Sequence, residues 1–164
     1  MRESIISALA LLIALLPLAT WAGPKADLVV VRKSQSRLYL MQGGQVIESF
    51  KVAFGAHPKG HKEREGDERT PEGRYVLDSK NAQSGFYRSI HISYPNARDL
   101  ARAKANGVQP GGLIMIHGQK SGLGWLAPVS QLFDWTDGCI ALKNKDMDAV
   151  WSTVDVGTPI EIYP

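Results

Sequence analysis

The chain carries a single thiol, Cys139, and its neighbours suit a nucleophile. It follows Thr136-Asp137-Gly138, where Gly138 lets the backbone turn sharply and lets a carbonyl approach the amides of Gly138 and Cys139. Attack on a carbonyl needs a base for the thiol proton and donors for the oxyanion that forms. His117 stands where the apolar run Leu113-Ile114-Met115-Ile116 gives way to a glycine-rich stretch, a place for a base that is fixed yet accessible. On this reading His117 takes the thiol proton and later delivers one to a leaving amine. Plainer readings exist for each residue: free cysteine is often a buried hydrophobe, a strand-end histidine is often only hydrogen-bonded, and Thr136 and Asp137 are ordinary turn formers. Taken together, Cys139 and His117 point to acyl transfer or hydrolysis by a thiol.

These residues need a scaffold, and its pattern is mainly β. Segments 27–32, 37–41 and 45–52 are rich in β-branched and aromatic residues and are broken by turn formers such as Gly43-Gly44, which predicts a β-meander. From His57 to Gly73 the chain is polar and charged, too long for a tight turn, and reads as a solvated surface loop. Strand character resumes at 74–78 and 89–94, and 97–106 reads as a helix stopped by Gly107. The run 113–116 reads as a buried strand delivering His117 at its end. A short helix over 128–133, an apolar piece over 139–142, a helix over 145–153 capped by Asn144, and a strand over 158–163 complete a β-rich α+β domain.

Composition bounds the rest. An apolar content of 44% over 164 residues suits one domain with an ordinary core. Arg2, the apolar run Ile5 to Leu16 closed by Pro17, and Thr20-Trp21-Ala22 before Gly23 have the order of a signal peptide. The run is shorter than the roughly twenty residues a membrane-spanning helix needs. We therefore expect a signal peptide over 1–22, a catalytic domain over 23–164, and export to the periplasm or cell envelope. In such a compartment cysteines usually pair, and Cys139 has no partner in its own chain. The net charge of +3 is mild and no Lys/Arg run stands beside aromatics, so no nucleic-acid partner is expected. His57, His61, His91 and His117 do not form an H-E-x-x-H frame, and Gly122-x-Gly124 lacks a nucleotide-loop context, so neither a metal nor another cofactor is expected. Tyr94, Arg88 and Trp125 are candidates for a peptide-binding groove, since aromatic and cationic groups suit peptides bearing carboxylates.

Ile116-His117-Gly118, the glycine-rich stretch after it, and Thr136-Asp137-Gly138-Cys139-Ile140-Ala141-Leu142 together resemble the catalytic signature of the YkuD-type L,D-transpeptidase family. Glu65-Gly66-Asp67, Arg69-Thr70-Pro71-Glu72-Gly73 and Ser93-Tyr94-Pro95-Asn96 resemble its ErfK/YafK-like branch. The resemblance implies a YkuD-like β-sandwich with short helices and a long active-site loop. It also implies a thioacyl-enzyme on Cys139 and a peptidoglycan stem peptide as donor, commonly cut between a diamino acid and a terminal D-alanine. By the same resemblance the Gly118 carbonyl orients the His117 ring, the amides of Gly138 and Cys139 form the oxyanion hole, and Thr136 fills the family's Ser/Thr position. Two positions depart from the commonest form: Asp137 stands where histidine is usual, and Ala141 where arginine or asparagine is usual. The acceptor stays open on this reading. An amine, including one on a wall-attached protein, gives transpeptidation; water gives an L,D-carboxypeptidase or endopeptidase; loss of catalysis would leave a wall-binding module.

Overall fold

The structure is a computed structural model that describes residues 23–164. The signal peptide expected over 1–22 lies outside the described residues. Strands β1 (Leu28–Arg32), β2 (Arg37–Gln42) and β3 (Gln45–Lys51) form the predicted meander, with antiparallel registers such as Val30 opposite Tyr39 and Leu38 opposite Phe50. The chain then runs through β4 (Gly73–Ser84), β5 (Tyr87–Ile92), helix α1 (Ala97–Ala105) and β6 (Met115–His117). The short helix α2 (Ala127–Ser130), β7 (Ile140–Ala141), helix α3 (Asn144–Thr153) and β8 (Pro159–Tyr163) follow.

The mainly β expectation holds, and the eight strands form one hydrogen-bonded series ordered β3-β2-β1-β8-β4-β5-β6-β7. Strand β4 joins the two halves. Gly73 to Val76 pair with β8, and Leu77 to Ser84 pair with β5, with register shifts between Leu77 and Ser79 and between Asn81 and Ser84. The sequence pattern reached only as far as Asp78, because Ser79-Lys80-Asn81-Ala82-Gln83-Ser84 has no apolar alternation to reveal a strand. One core serves both halves: Val31, Leu38 and Leu40 from one end are buried in the same cluster as Ile90, Ile116 and Ile140 from the other, with Met147 and Val150 of α3. The sheet therefore wraps around its core, supplying both layers of a sandwich from one continuous series.

Helix α1 begins with a capping box. The Asn96 side chain accepts from the amides of Arg98 and Asp99, and the Asp99 carboxylate accepts from the Asn96 amide. The expected cap of α3 is not formed: Asn144 is the first helical residue, and its Oδ1 instead accepts the Gln119 N–H at 2.8 Å. Asn144 thus ties down the loop that follows His117.

The 57–73 segment is also more than a solvated loop. Lys62 is buried, and its ammonium donates to Asp67 at 2.8 Å and to the Arg64 carbonyl at 3.0 Å. Asp67 accepts in addition from the amides of Glu63, Arg64 and Arg69. Burial pushes the Asp67 carboxyl up, but the Lys62 ammonium and the three amides outweigh it and hold the group below the usual carboxylate range. A second buried lysine, Lys33, donates to Glu72 and to the carbonyls of Gly60 and Thr70. Charged residues hide from sequence reading when they serve as internal struts, since their type predicts exposure.

Because Asp67 has a lowered pKa in the fold, its contribution is fully present above the unfolded carboxylate's pKa and is lost as pH falls through the folded value. Asp67→Ala leaves the Lys62 ammonium buried without its partner and is expected to cost about 3 kcal/mol. Urea unfolding at neutral pH measures this, and the difference between variant and wild type is expected to shrink in acid.

Candidate active site

Strand pairing brings the thiol and the imidazole to one face. Strands β6 and β7 run parallel, with Ile116 opposite Ile140 and His117 opposite Ala141. Continued back one residue, that register sets Cys139 beside Met115. Alternation along the strands then gives Met115, His117 and Cys139 a common side. With strands about 4.8 Å apart and a rise of about 3.3 Å per residue, the Cα atoms of Cys139 and His117 are roughly 8 Å apart, a gap that two converging side chains can close. The Met115 N–H approaches Sγ at 3.4 Å, in keeping with this register.

His117 is 3% exposed, and its Nδ1 lies 2.6 Å from the Gly118 carbonyl oxygen. A carbonyl only accepts, so Nδ1 carries the proton and Nε2 is the basic nitrogen. Burial lowers the imidazole pKa, and the Gly118 carbonyl partly opposes this. The ring of Phe86 lies 4.6 Å from that of His117 and the ring of Trp135 6.0 Å from it, so the imidazole sits in an aromatic wall.

The thiol rests away from this base. Its S–H points to the Leu113 carbonyl oxygen at 3.6 Å, and no hydrogen bond joins it to His117. Burial pushes the Cys139 thiol up, the Met115 N–H pulls it down, the Asp137 charge pushes it up again, and the Lys62 ammonium, itself paired with Asp67, opposes that last effect. Leu113 adopts φ 56°, unusual for a leucine, and is 76% exposed at the rim. The resting site therefore holds a neutral thiol and a neutral imidazole, so the proton has still to pass from Cys139 to His117.

The turn before Cys139 is held from below. Thr136 Oγ1 donates to the Cys139 carbonyl at 2.7 Å and accepts from the Gly138 N–H at 3.1 Å. The Gly138 amide, expected in the oxyanion hole, is thus already engaged, whereas the Cys139 N–H meets no acceptor among the described residues. Gly138 has φ 123°, and a Cβ there would lie 2.5 Å from the Arg69 carbonyl oxygen. The end of the 57–73 segment is therefore pressed against the turn that carries Cys139. Ala53 clamps the other side by exchanging backbone hydrogen bonds with Ala141 at 3.0 and 2.8 Å.

Around the pair lies an open cleft of about 460 Å³. Asn81, Ser84 and Phe86 line one side, Gly112 and Leu113 another, and Trp135 to Asp137 a third. Ser89 also lines it, opposite His117 in the β5–β6 register. Three further residues expected to bind peptide lie outside this lining. Tyr94 is buried, donating to the carbonyls of Pro110 and Lys62 at 3.1 and 3.4 Å. Arg88 pairs with Asp148 at 3.0 Å and lies over the rings of Tyr87 and Trp151. Trp125 is 74% exposed on the loop before α2. The other histidines face carboxylates: His57 meets Glu68, His61 meets Asp99 too obliquely for a hydrogen bond, and His91 meets Asp78. Phe86, Ser89 and Trp135 escaped the sequence reading because nothing in their local pattern marks them; only the pairing of β5 with β6 and the Thr136 turn bring them to the cleft.

Residues 26–162 match the family model of the L,D-transpeptidase catalytic domain, YkuD. The chain belongs to this family. It is 30% identical to YafK of Escherichia coli K12 over 138 residues, covering 77% of this chain and 48% of YafK. Among solved structures, the helical cell shape determining protein Pgp2 of Campylobacter jejuni superposes with a TM-score of 0.61 at 28% identity, over 82% of this chain and 46% of Pgp2. An L,D-transpeptidase from Mycobacterium smegmatis, with a TM-score of 0.56 at 15% identity over 84% of this chain and 58% of that one, shares the fold. The chain spans about half the length of the curated relatives it matches.

Two outcomes test the site. Gly138→Ala is expected to cost about 2 kcal/mol in denaturant unfolding, because the new Cβ meets backbone and the conformation disfavours a side chain. Alkylation of Cys139 by iodoacetamide, followed by mass against pH, is expected to inflect above free cysteine; an inflection well below it would mean the thiolate is preformed.

Proposed function

We propose that the protein is an exported L,D-transpeptidase that acylates Cys139 with a peptidoglycan stem peptide, using His117 as general base and then general acid. The observation that carries this reading is the shared face of Cys139 and His117 in an open cleft, with Nδ1 of His117 tied to the Gly118 carbonyl and Nε2 therefore basic. Each unit by which the thiol pKa exceeds that of the imidazolium costs about 1.4 kcal/mol in forming the ion pair. Proton transfer is thus coupled to attack. The S–H turns from the Leu113 carbonyl to Nε2, a bond forms between Sγ and the stem carbonyl carbon, and the carbonyl electron pair moves onto oxygen.

The Cys139 N–H is the donor best disposed to meet that oxyanion. Collapse breaks the C–N bond, and Nε2 returns its proton to the departing D-amino acid, leaving a thioester. An acceptor amine then attacks, gives a proton to Nε2, and expels Sγ, which is reprotonated as the new amide forms. Water in place of the amine hydrolyses the same thioester.

Work on stem peptides implies a place in the cell envelope, and no helix among the described residues is long and apolar enough to cross a membrane. The similarity to Pgp2, a cell shape determining protein, supports a role for this remodelling in cell shape.

Mass spectrometry of a disaccharide-tetrapeptide incubated with the protein, with and without a D-amino acid or an acceptor peptide, tests the reading. Crosslinked dimers or exchanged termini establish transpeptidation, and tripeptide alone establishes hydrolysis. Cys139→Ala is expected to abolish both. His117→Ala is expected to slow turnover by about 100-fold or more, and full activity in Cys139→Ala would overturn the assignment of the nucleophile.

A further inference from the structure

Among the residues lining the cleft, Asp137 carries the only formal charge, His117 being neutral. The carboxylate is exposed and makes no hydrogen bond or ion pair with any described residue. It is not needed to shape the turn, which is held by Thr136 and by the backbone contact at Gly138. An unpaired negative charge two residues before a thiol opposes the thiolate that attack must generate, so its place in the cleft is a disadvantage unless a cation meets it there. The remaining walls are amide, hydroxyl and apolar groups and offer a cation no rival carboxylate.

We propose that Asp137 is a specificity-determining residue that pairs with a primary ammonium on the substrate, the side-chain amine of the diamino acid in a stem peptide. The assignment rests on the stem-peptide reading above. The amine of the residue whose carbonyl is attacked ends a short chain of bonds from that carbonyl, within reach of a carboxylate two residues from the nucleophile. Pairing there neutralises the charge beside Sγ as the thiolate forms. The same ammonium chemistry exists on an acceptor stem, where Asp137 would gather the incoming amine. No bond is made or broken by Asp137 in either case, and the acid-base work stays with His117.

The test separates pairing from turnover. Two tetrapeptides, one with a free side-chain amine and one acetylated at it, are bound by calorimetry to the full chain carrying Cys139→Ala, and to the same chain with Asp137→Asn added. Acetylation is expected to weaken binding to Cys139→Ala about fivefold, the scale of a partly exposed ion pair, and to have little effect on the double variant. The preference is also expected to shrink as salt is raised.

In turnover by the wild type and by Asp137→Asn, the donor amine is acetylated in one arm and the KM for an unmodified acceptor amine is compared in the other, since the acceptor amine is itself the nucleophile. A rise in acceptor KM on Asp137→Asn with no Asp137-dependent acetylation penalty on the donor assigns the ammonium to the acceptor. An equal acetylation penalty in binding with and without Asp137, together with no Asp137 dependence in either turnover arm, overturns the proposal. A peptide that binds with the Asp137-dependent preference but is never converted by the wild type would instead overturn the catalytic reading and leave the pairing standing.

Discussion

The site depends on one register. If β7 slipped a single residue against β6, the alternation of side chains would send Cys139 into the core and away from His117. Several contacts hold that register, each from a different part of the chain. Ala53 bonds to both backbone groups of Ala141, the Leu142 N–H reaches the His117 carbonyl, and the side-chain amides of Gln119 and Gln131 donate to the carbonyls of Leu142 and Ala141. Two residues of strand would be marginal alone; here they are fixed by neighbours that the hydrophobic core already immobilises.

Beneath the 136–139 turn lies the Arg69 carbonyl, so the position of the 57–73 segment decides the position of Cys139. This gives physical meaning to the internal ion pairs. The bonds of Lys62 with Asp67, and of Lys33 with Glu72 and the Gly60 and Thr70 carbonyls, set a polar segment at a fixed height against the sheet. Apolar side chains would bury area there with little directional preference. A buried ammonium with a carboxylate and carbonyls about it permits few geometries.

Much of this was legible in the sequence, for identifiable reasons. Cys139, His117 and Gly138 could be read because a lone cysteine, a strand-end histidine and a turn glycine each carry a chemical or conformational meaning in their type. The meander and α1 could be read from alternation and from Gly107. What escaped was long-range. Nothing local tells that Tyr94 spends its hydroxyl on the Pro110 and Lys62 carbonyls, that Arg88 is held by Asp148, or that Asn144 braces the loop after His117 instead of capping its helix. The second half of β4 was missed for a related reason: its strand character comes from pairing with β5 and not from its own composition.

The resting thiol, parked on the Leu113 carbonyl and pushed up by burial, bears on how the protein survives where it is proposed to work. Oxidants attack thiolates far faster than thiols. A sulfenic acid formed on Cys139 would find no second cysteine in the chain to resolve it, and further oxidation would be irreversible. A nucleophile that ionises only as substrate is engaged gives up some speed at the proton-transfer step and gains a long life in an oxidising environment.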